Sequence, residues 1–304
     1  MNAREVRLAA AVAGLLVIGG MDPTAEAEAA TTATEQAPEA AAADGQALTL
    51  EFIDKAIAEG RHKSAGDLIL RARVRFPGPE ITLREAELML AHGAVTEAAT
   101  AFRLLEDDPF VGARALAGRG IAAIKSGEDA AAEALLAAAV ARDPNLGRAW
   151  SARAVLADRR RDWAAADVFY ARAIAALPQS ADILNNRGYS RLLQGRHSEA
   201  EADLSAAVKL NPALRAAATN LTLARAMQGR YAEAFTSADR DGLARDLNTV
   251  GVAAMLRGDT RIAQSYFTRA IDMNGRYDRT AQANLAYLRT IDPELDAEPK
   301  VARK

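Results

Sequence analysis

Residues 184–212 read LNNRGYSRLLQGRHSEAEADLSAAVKLNP, and the fold is legible in that stretch. Leu184 and Gly188 stand four apart on one side of Gly195, and Ala200, Leu204 and Ala207 follow at spacings of four and three on the other. Such spacings bring residues onto one face of an α-helix. Gly195 falls where a first helix must stop, a place that favours a left-handed backbone and therefore no Cβ. Pro212 cannot continue a second helix and is tolerated at the start of the next. The stretch predicts two helices joined by a tight turn.

The same arrangement recurs outward in both directions. Upstream, Trp150 to Pro178 reads WSARAVLADRRRDWAAADVFYARAIAALP, and Pro144, Pro178 and Pro212 are spaced 34 apart. Pro77 begins the series and Pro109 sits one residue early. Alanine keeps the beat at Ala65, Ala98, Ala132, Ala166, Ala200, Ala234 and Ala263, with intervals of 33, 34, 34, 34, 34 and 29. Glycine is rarer, with 20 in the chain, so it discriminates better. Gly60, Gly93, Gly127, Gly195, Gly229 and Gly258 each stand five residues before one of those alanines, and Arg161 fills the remaining slot. A bulky residue lies four after the alanine at Ile69, Phe102, Leu136, Tyr170, Leu204 and Phe267, which keeps the pair on one helical face.

In Trp150, Ala154, Ala166, Tyr170, Ala173 and Pro178, and again in Leu184, Gly188, Ala200, Leu204, Ala207 and Pro212, this period resembles the tetratricopeptide repeat (TPR). The resemblance runs over 46–289. It implies an all-α fold, a right-handed TPR superhelix (α-solenoid) of about seven helical hairpins plus a C-terminal capping helix. The hairpins are expected near 46–78, 79–112, 113–146, 147–180, 181–214, 215–243 and 244–275, with the cap at 278–290, so the solenoid spans 47–290. The sixth lacks the bulky partner and the proline, which predicts a second helix truncated near Asp239-Arg240-Asp241-Gly242. Beyond it, residues 291–304 read as a polar tail.

Composition supports helices. Half the residues are apolar but only 5% are aromatic, and abundant alanine has the highest helix propensity. The 38 basic and 40 acidic residues leave a net charge of −2, without the basic excess by which nucleic-acid binders neutralise phosphates. There is no cysteine, which removes disulfides, thiolate metal sites, cysteine nucleophiles and N-terminal lipidation on cysteine.

Arg4 and Arg7 precede the apolar stretch 8–20, LAAAVAGLLVIGG, and small-residue cleavage positions follow around Ala25-Glu-Ala27 or Ala27-Glu-Ala29. Residues 1–27 resemble a secretory signal peptide, so a periplasmic or otherwise exported protein is expected. An uncleaved inner-membrane anchor and a cytoplasmic product with a misleading start are the alternatives. Residues 28–46, rich in Ala, Glu and Thr, read as a disordered linker, because they lack the large apolar side chains that would offset ordering.

Chemistry-bearing motifs are few. No phosphate-cradling glycine pattern, nucleophile elbow or metalloprotease helix occurs, and paired carboxylates such as Asp107-Asp108 read as loop solvation. No catalytic, cofactor or metal site is expected, and no small-molecule substrate. His62, His92 and His197 fall at turns and are expected to lie too far apart along the stack to share a metal ion. Arg119, Arg153 and Arg187 recur at 34, either as a basic ladder or as packed stems whose heads find carboxylates; Asp203 is the expected partner of Arg187. Arg159-Arg160-Arg161 reads as a solvated corner.

The resemblance implies that first helices line a concave groove for a protein or peptide partner. Asn185, Asn186, Tyr189, Asn220, Asn248, Asn284 and Tyr287 fall on those helices and are the groove candidates, since an amide both donates and accepts. Asparagine in the repeat also serves to satisfy neighbouring helices, and both readings stand. The stretches LNNRGYSRLLQGRHSEA, NLTLARAMQGRYAEA and QANLAYLR are similar to TPR proteins of tight-adherence (Flp) pilus assembly, from which this chain departs by lacking a lipid-bearing cysteine. That likeness implies a scaffold of the Gram-negative envelope; a membrane-anchored adaptor of a cell-wall complex is the rival.

Overall fold

The structure, a computed structural model, describes residues 39–237, 240–273 and 279–295. Among them are fourteen α-helices, one 3-10 turn and no strand. The chain divides into two compact units at Pro178.

The first unit holds α1 (Glu39–Ala58), α2 (His62–Arg75), α3 (Pro79–Ala91), α4 (Val95–Arg103), α5 (Gly112–Ser126), α6 (Asp129–Arg142), α7 (Gly147–Arg159) and α8 (Trp163–Ala176). The second holds α9 (Ala181–Leu193), α10 (His197–Leu210), α11 (Arg215–Met227), a 3-10 turn (Tyr231–Glu233), α12 (Arg240–Arg257), α13 (Thr260–Met273) and α14 (Arg279–Ile291). Within each unit every helix packs on its successor, and first helices of neighbouring hairpins also touch: α1 with α3, α3 with α5, α5 with α7, α9 with α11, and α12 with α14. This is the packing of an α-solenoid.

The repeat signals act where the sequence places them. Gly60, Gly93, Gly127, Gly195, Gly229 and Gly258 all have positive φ, and Arg161 in the seventh slot adopts φ 57°, so the turn conformation is kept even where a Cβ resists it. Pro77, Pro144, Pro178 and Pro212 each stand two residues beyond the end of α2, α6, α8 and α10. Ala65, Ala98, Ala132, Ala166, Ala200, Ala234 and Ala263 are fully buried, as are their partners Phe102, Leu136, Tyr170, Leu204 and Phe267. Each large side chain so buried contributes roughly 1.5–3 kcal/mol. The small residue of the first helix is the third member of this contact. A Cβ on Gly120 would meet Leu136 Cγ at 2.7 Å, and one on Gly251 would meet Phe267 Cε1 at 2.6 Å.

Three expectations change. The helix at Glu39 begins inside the stretch 28–46 expected as a linker: Ala40 to Ala43 have the highest helix propensity, and at the weaker Asp44-Gly45 step the Gly45 carbonyl also accepts from Thr49 Oγ1 at 2.7 Å. The sixth hairpin loses its second helix altogether: after Tyr231–Glu233 the segment 234–237 is irregular, and α12 starts at Arg240. The buried Asp246 carboxylate holds that segment, accepting from Thr236 N at 2.8 Å and Ser237 N at 2.9 Å. The tail expected from 291 is not wholly peripheral, since Leu295 is buried with Val252, Phe267 and Leu288. The expected export signal, 1–27, and residues 296–304 lie outside the described residues. Among the described residues no helix is long and apolar enough to cross a membrane.

Candidate functional site

In each unit the first helices carry polar side chains that meet between neighbouring hairpins, and the chemistry differs from one unit to the other. In the first unit the row is ionic. Arg84 of α3 forks onto Asp54 of α1, Nε to Oδ1 at 3.0 Å and Nη2 to Oδ2 at 2.9 Å. Arg114 of α5 reaches the same carboxylate at 2.8 and 3.2 Å and forks onto Glu87 of α3 at 2.7 Å for each bond. Three successive first helices are thus tied together by charge-assisted bidentate bonds. Burial pushes the Asp54 carboxyl up, but Arg114 and Arg84 outweigh it and hold it below the ordinary value. For Arg114 burial opposes the charge, and Glu87 and Asp54 more than offset it, holding the guanidinium above its usual range. The signal for this row was in the sequence as opposite charges 30 and 27 residues apart, one repeat less one or two helical turns.

The arginine series is structural. Arg119 bonds Glu106 at 2.6 Å, Arg153 bonds Glu133 at 2.7 Å, and Arg187 forks onto Asp203 at 2.6 and 2.8 Å, the partner expected from sequence. Arg191 adds a second guanidinium to Asp203 at 2.7 Å. Arg153 also lies over the ring of Phe169, 4.3 Å from its centroid, so its stem packs while its head is paired. At the triple-arginine corner, Arg159 pairs with Asp129 at 2.5 Å.

In the second unit the row is built of amides. Asn220 of α11 donates to Asn185 Oδ1 of α9 at 2.9 Å, and Asn185 donates to Asn186 Oδ1 at 3.3 Å. Asn284 of α14 donates to Asn248 Oδ1 of α12 at 2.9 Å. The structure therefore pairs four of the sequence candidates as rungs between first helices, Asn220 with Asn185 and Asn284 with Asn248. Exposure divides them. Asn185 and Asn220 are fully buried and Asn186 and Tyr189 nearly so, at 4% and 5%, which turns these four toward protein. Asn248, Asn284 and Tyr287 are half-buried and keep part of their surface open. Burial was not legible from spacing because the equivalent positions share a face but differ in what the neighbouring hairpin lays over them.

The histidines require a correction. His62 and His92 are not separated along the stack: their rings meet edge-to-face with centroids 4.5 Å apart, because turns of adjacent hairpins lie side by side. Burial, then the neighbouring His92, lowers the pKa of His62 from its ordinary value. Among the described residues no group of three or more His, Cys, Asp or Glu is placed to hold a metal ion.

Comparison with known proteins agrees with this architecture. The tetratricopeptide-repeat family profile matches residues 181–214, the α9–α10 hairpin. Among curated proteins no relative matches the sequence. The solved structure of the APC/C hetero-tetramer Cut9–Hcn1 is similar to this chain with a TM-score of 0.57 at 15% identity, covering 81% of this chain. This chain spans about half, 52%, of that one. A tetratricopeptide repeat protein from Parabacteroides merdae ATCC 43184 aligns with a TM-score of 0.46 at 15% identity over 81% of this chain and 99% of its own. YrrB, described as a TPR protein with an unusual peptide-binding site, aligns with a TM-score of 0.43 at 18% identity over 62% of this chain and 96% of its own. At such identities the likeness is one of fold.

Proposed function

We propose that this chain, a tetratricopeptide-repeat protein, is a non-catalytic scaffold of the bacterial cell envelope that holds a protein or peptide partner along its row of first helices. The observation that carries the reading is the Asn248–Asn284 rung on α12 and α14, which is only half-buried and has Tyr287 beside Asn284 on the same helix. An amide already committed to one bond retains a further donor and acceptor, which suits the backbone of an extended guest. The buried Asn185–Asn220 rung holds the helices in register beneath that function.

Export rests on Arg4, Arg7 and the apolar stretch 8–20. On the resemblance of the three stretches quoted above, the partner is a subunit of pilus or secretion machinery. A photo-crosslinking residue at Tyr287 tests the scaffold: it should trap the same partner from envelope extract repeatedly, and Asn248→Ala with Asn284→Ala should abolish the adduct. Undiminished crosslinking by that double variant refutes the assignment of these residues. N-terminal sequencing tests export separately, with a mature start near Glu28 or Ala30 expected. An intact Met1 or Asn2 in membranes would favour the anchored adaptor instead.

A further inference from the structure

The two imidazoles of the first unit meet away from its ionic row, at the turns. His62 opens α2 and His92 caps the end of α3, so they belong to neighbouring hairpins. Both backbones are fixed: His62 N donates to the Gly60 carbonyl at 2.8 Å, and His92 N donates to the Leu88 carbonyl at 2.9 Å. The offset of one hairpin against the next then sets the rings edge-to-face, with centroids 4.5 Å apart. The same reach recurs two hairpins on. There Asp129, two residues after Gly127 as His62 is after Gly60, bonds Arg159 beside the following turn at 2.5 Å.

That second contact is an ion pair, whereas neither imidazole is joined by a hydrogen bond or ion pair to any described residue. His62 Nε2 is shielded from solvent and has no hydrogen-bond partner. A sheltered nitrogen in that condition is costly unless something takes its lone pair, which a neutral imidazole can present there. His92 is exposed and leaves a path of entry from its side. Arg61, next to His62, has its charge met by Glu59 at 2.6 Å.

The ring separation fits one kind of ion. An imidazole nitrogen sits about 2.0–2.1 Å from a zinc-sized cation, which puts each ring centroid about 3.2 Å from the metal. Two rings on one ion then lie about 4.5 Å apart for a right angle at the metal and about 5.2 Å apart for a tetrahedral one. The observed 4.5 Å is the right-angle value. Square-planar and tetragonal coordination by nitrogen and oxygen belongs to copper(II) and nickel(II), and copper(II) binds most tightly in the divalent series.

We infer that His62 and His92 form a two-histidine half-site for copper(II), with water in the remaining positions, that staples the first hairpin to the second. Because the unfolded chain lacks this pairing, the bound ion stabilises the folded one.

The test uses the full chain, free of any polyhistidine tag, titrated with copper(II) against glycine as a weak competitor. Calorimetry reads binding, and electron paramagnetic resonance reads the ligands. The wild type should take one equivalent, give an axial signal modulated by two imidazoles, and unfold at a higher temperature with copper than without. His62→Ala and His92→Ala should each weaken binding by at least about tenfold, the loss seen when even an indirect support of a metal ligand is removed, and should abolish the thermal shift. His197→Ala should leave both unchanged. All three positions are at helix ends, so the variants should keep the wild-type helical spectrum. Modulation by one imidazole or none in the wild type overturns the site, whatever the variants do. Unchanged copper affinity in either His62→Ala or His92→Ala overturns it equally. None of these outcomes touches the scaffold reading, which stands or falls on the Tyr287 adduct.

Discussion

Gly188→Ala is the sharpest probe of how the hairpins close. A Cβ at this position of α9 would lie 2.6 Å from Leu204 Cγ, 2.9 Å from Leu204 Cδ2 and 3.3 Å from the Ala200 carbonyl oxygen. Carbon atoms prefer about 3.5–4.0 Å, so Leu204 must retreat by about 1 Å. It has nowhere to go, being fully buried against Leu221 and Ala224. Overpacking of this kind costs about 1–3 kcal/mol, while alanine in place of a mid-helix glycine returns about 0.5–1 kcal/mol. The net expectation is a destabilisation of about 0.5–2 kcal/mol.

Leu204→Ala alone should cost about 2–5 kcal/mol through its cavity. In the double variant the new methyl enters that cavity, so Gly188→Ala should become neutral or stabilising there. Urea unfolding of the four proteins, followed by circular dichroism at fixed pH, measures the cycle. Additivity within about 0.5 kcal/mol would refute the claim that these two residues share one packed space.

Gly127→Ala isolates backbone strain, since a Cβ there meets nothing within 4 Å while φ is 80°; a loss of about 1–2 kcal/mol in unfolding free energy is expected. Tyr170→Phe removes the phenol that donates to the buried Asp158 carboxylate at 2.8 Å and should cost about 1–3 kcal/mol by the same measurement. Asp54, held below its ordinary pKa, contributes stability that is present above the unfolded carboxylate value and lost as pH falls through the lower folded value. Thermal unfolding should therefore decline from near neutral into acid, and Asp54→Asn should flatten that decline while lowering the midpoint at neutral pH.

Much of this molecule was readable locally. A helix stop needs a residue that tolerates positive φ, a close crossing needs a side chain no larger than alanine, and a helix end admits proline; the residues at Gly195, Ala200 and Pro212 state all three within one stretch. Even the failure of the sixth hairpin was foreshadowed by its missing bulky residue. Its remedy was not, because Asp246 captures the 236–237 backbone from a different helix. The same distinction governs the polar row. Asparagine candidates could be assigned to a helix face, but not sorted into buried Asn185 and Asn220 and half-open Asn248 and Asn284.

By itself, then, the sequence determined that helices form, where they turn and which residues close each pair, since those are matters of backbone conformation and side-chain volume within one repeat. Only the tertiary structure decided which polar groups meet. Asp54 finds Arg84 and Arg114, and His62 finds His92, through the offset of one hairpin against the next. That offset is set by how large side chains interdigitate across the contact, and a one-turn slide would exchange every partner while leaving the repeat pattern unaltered.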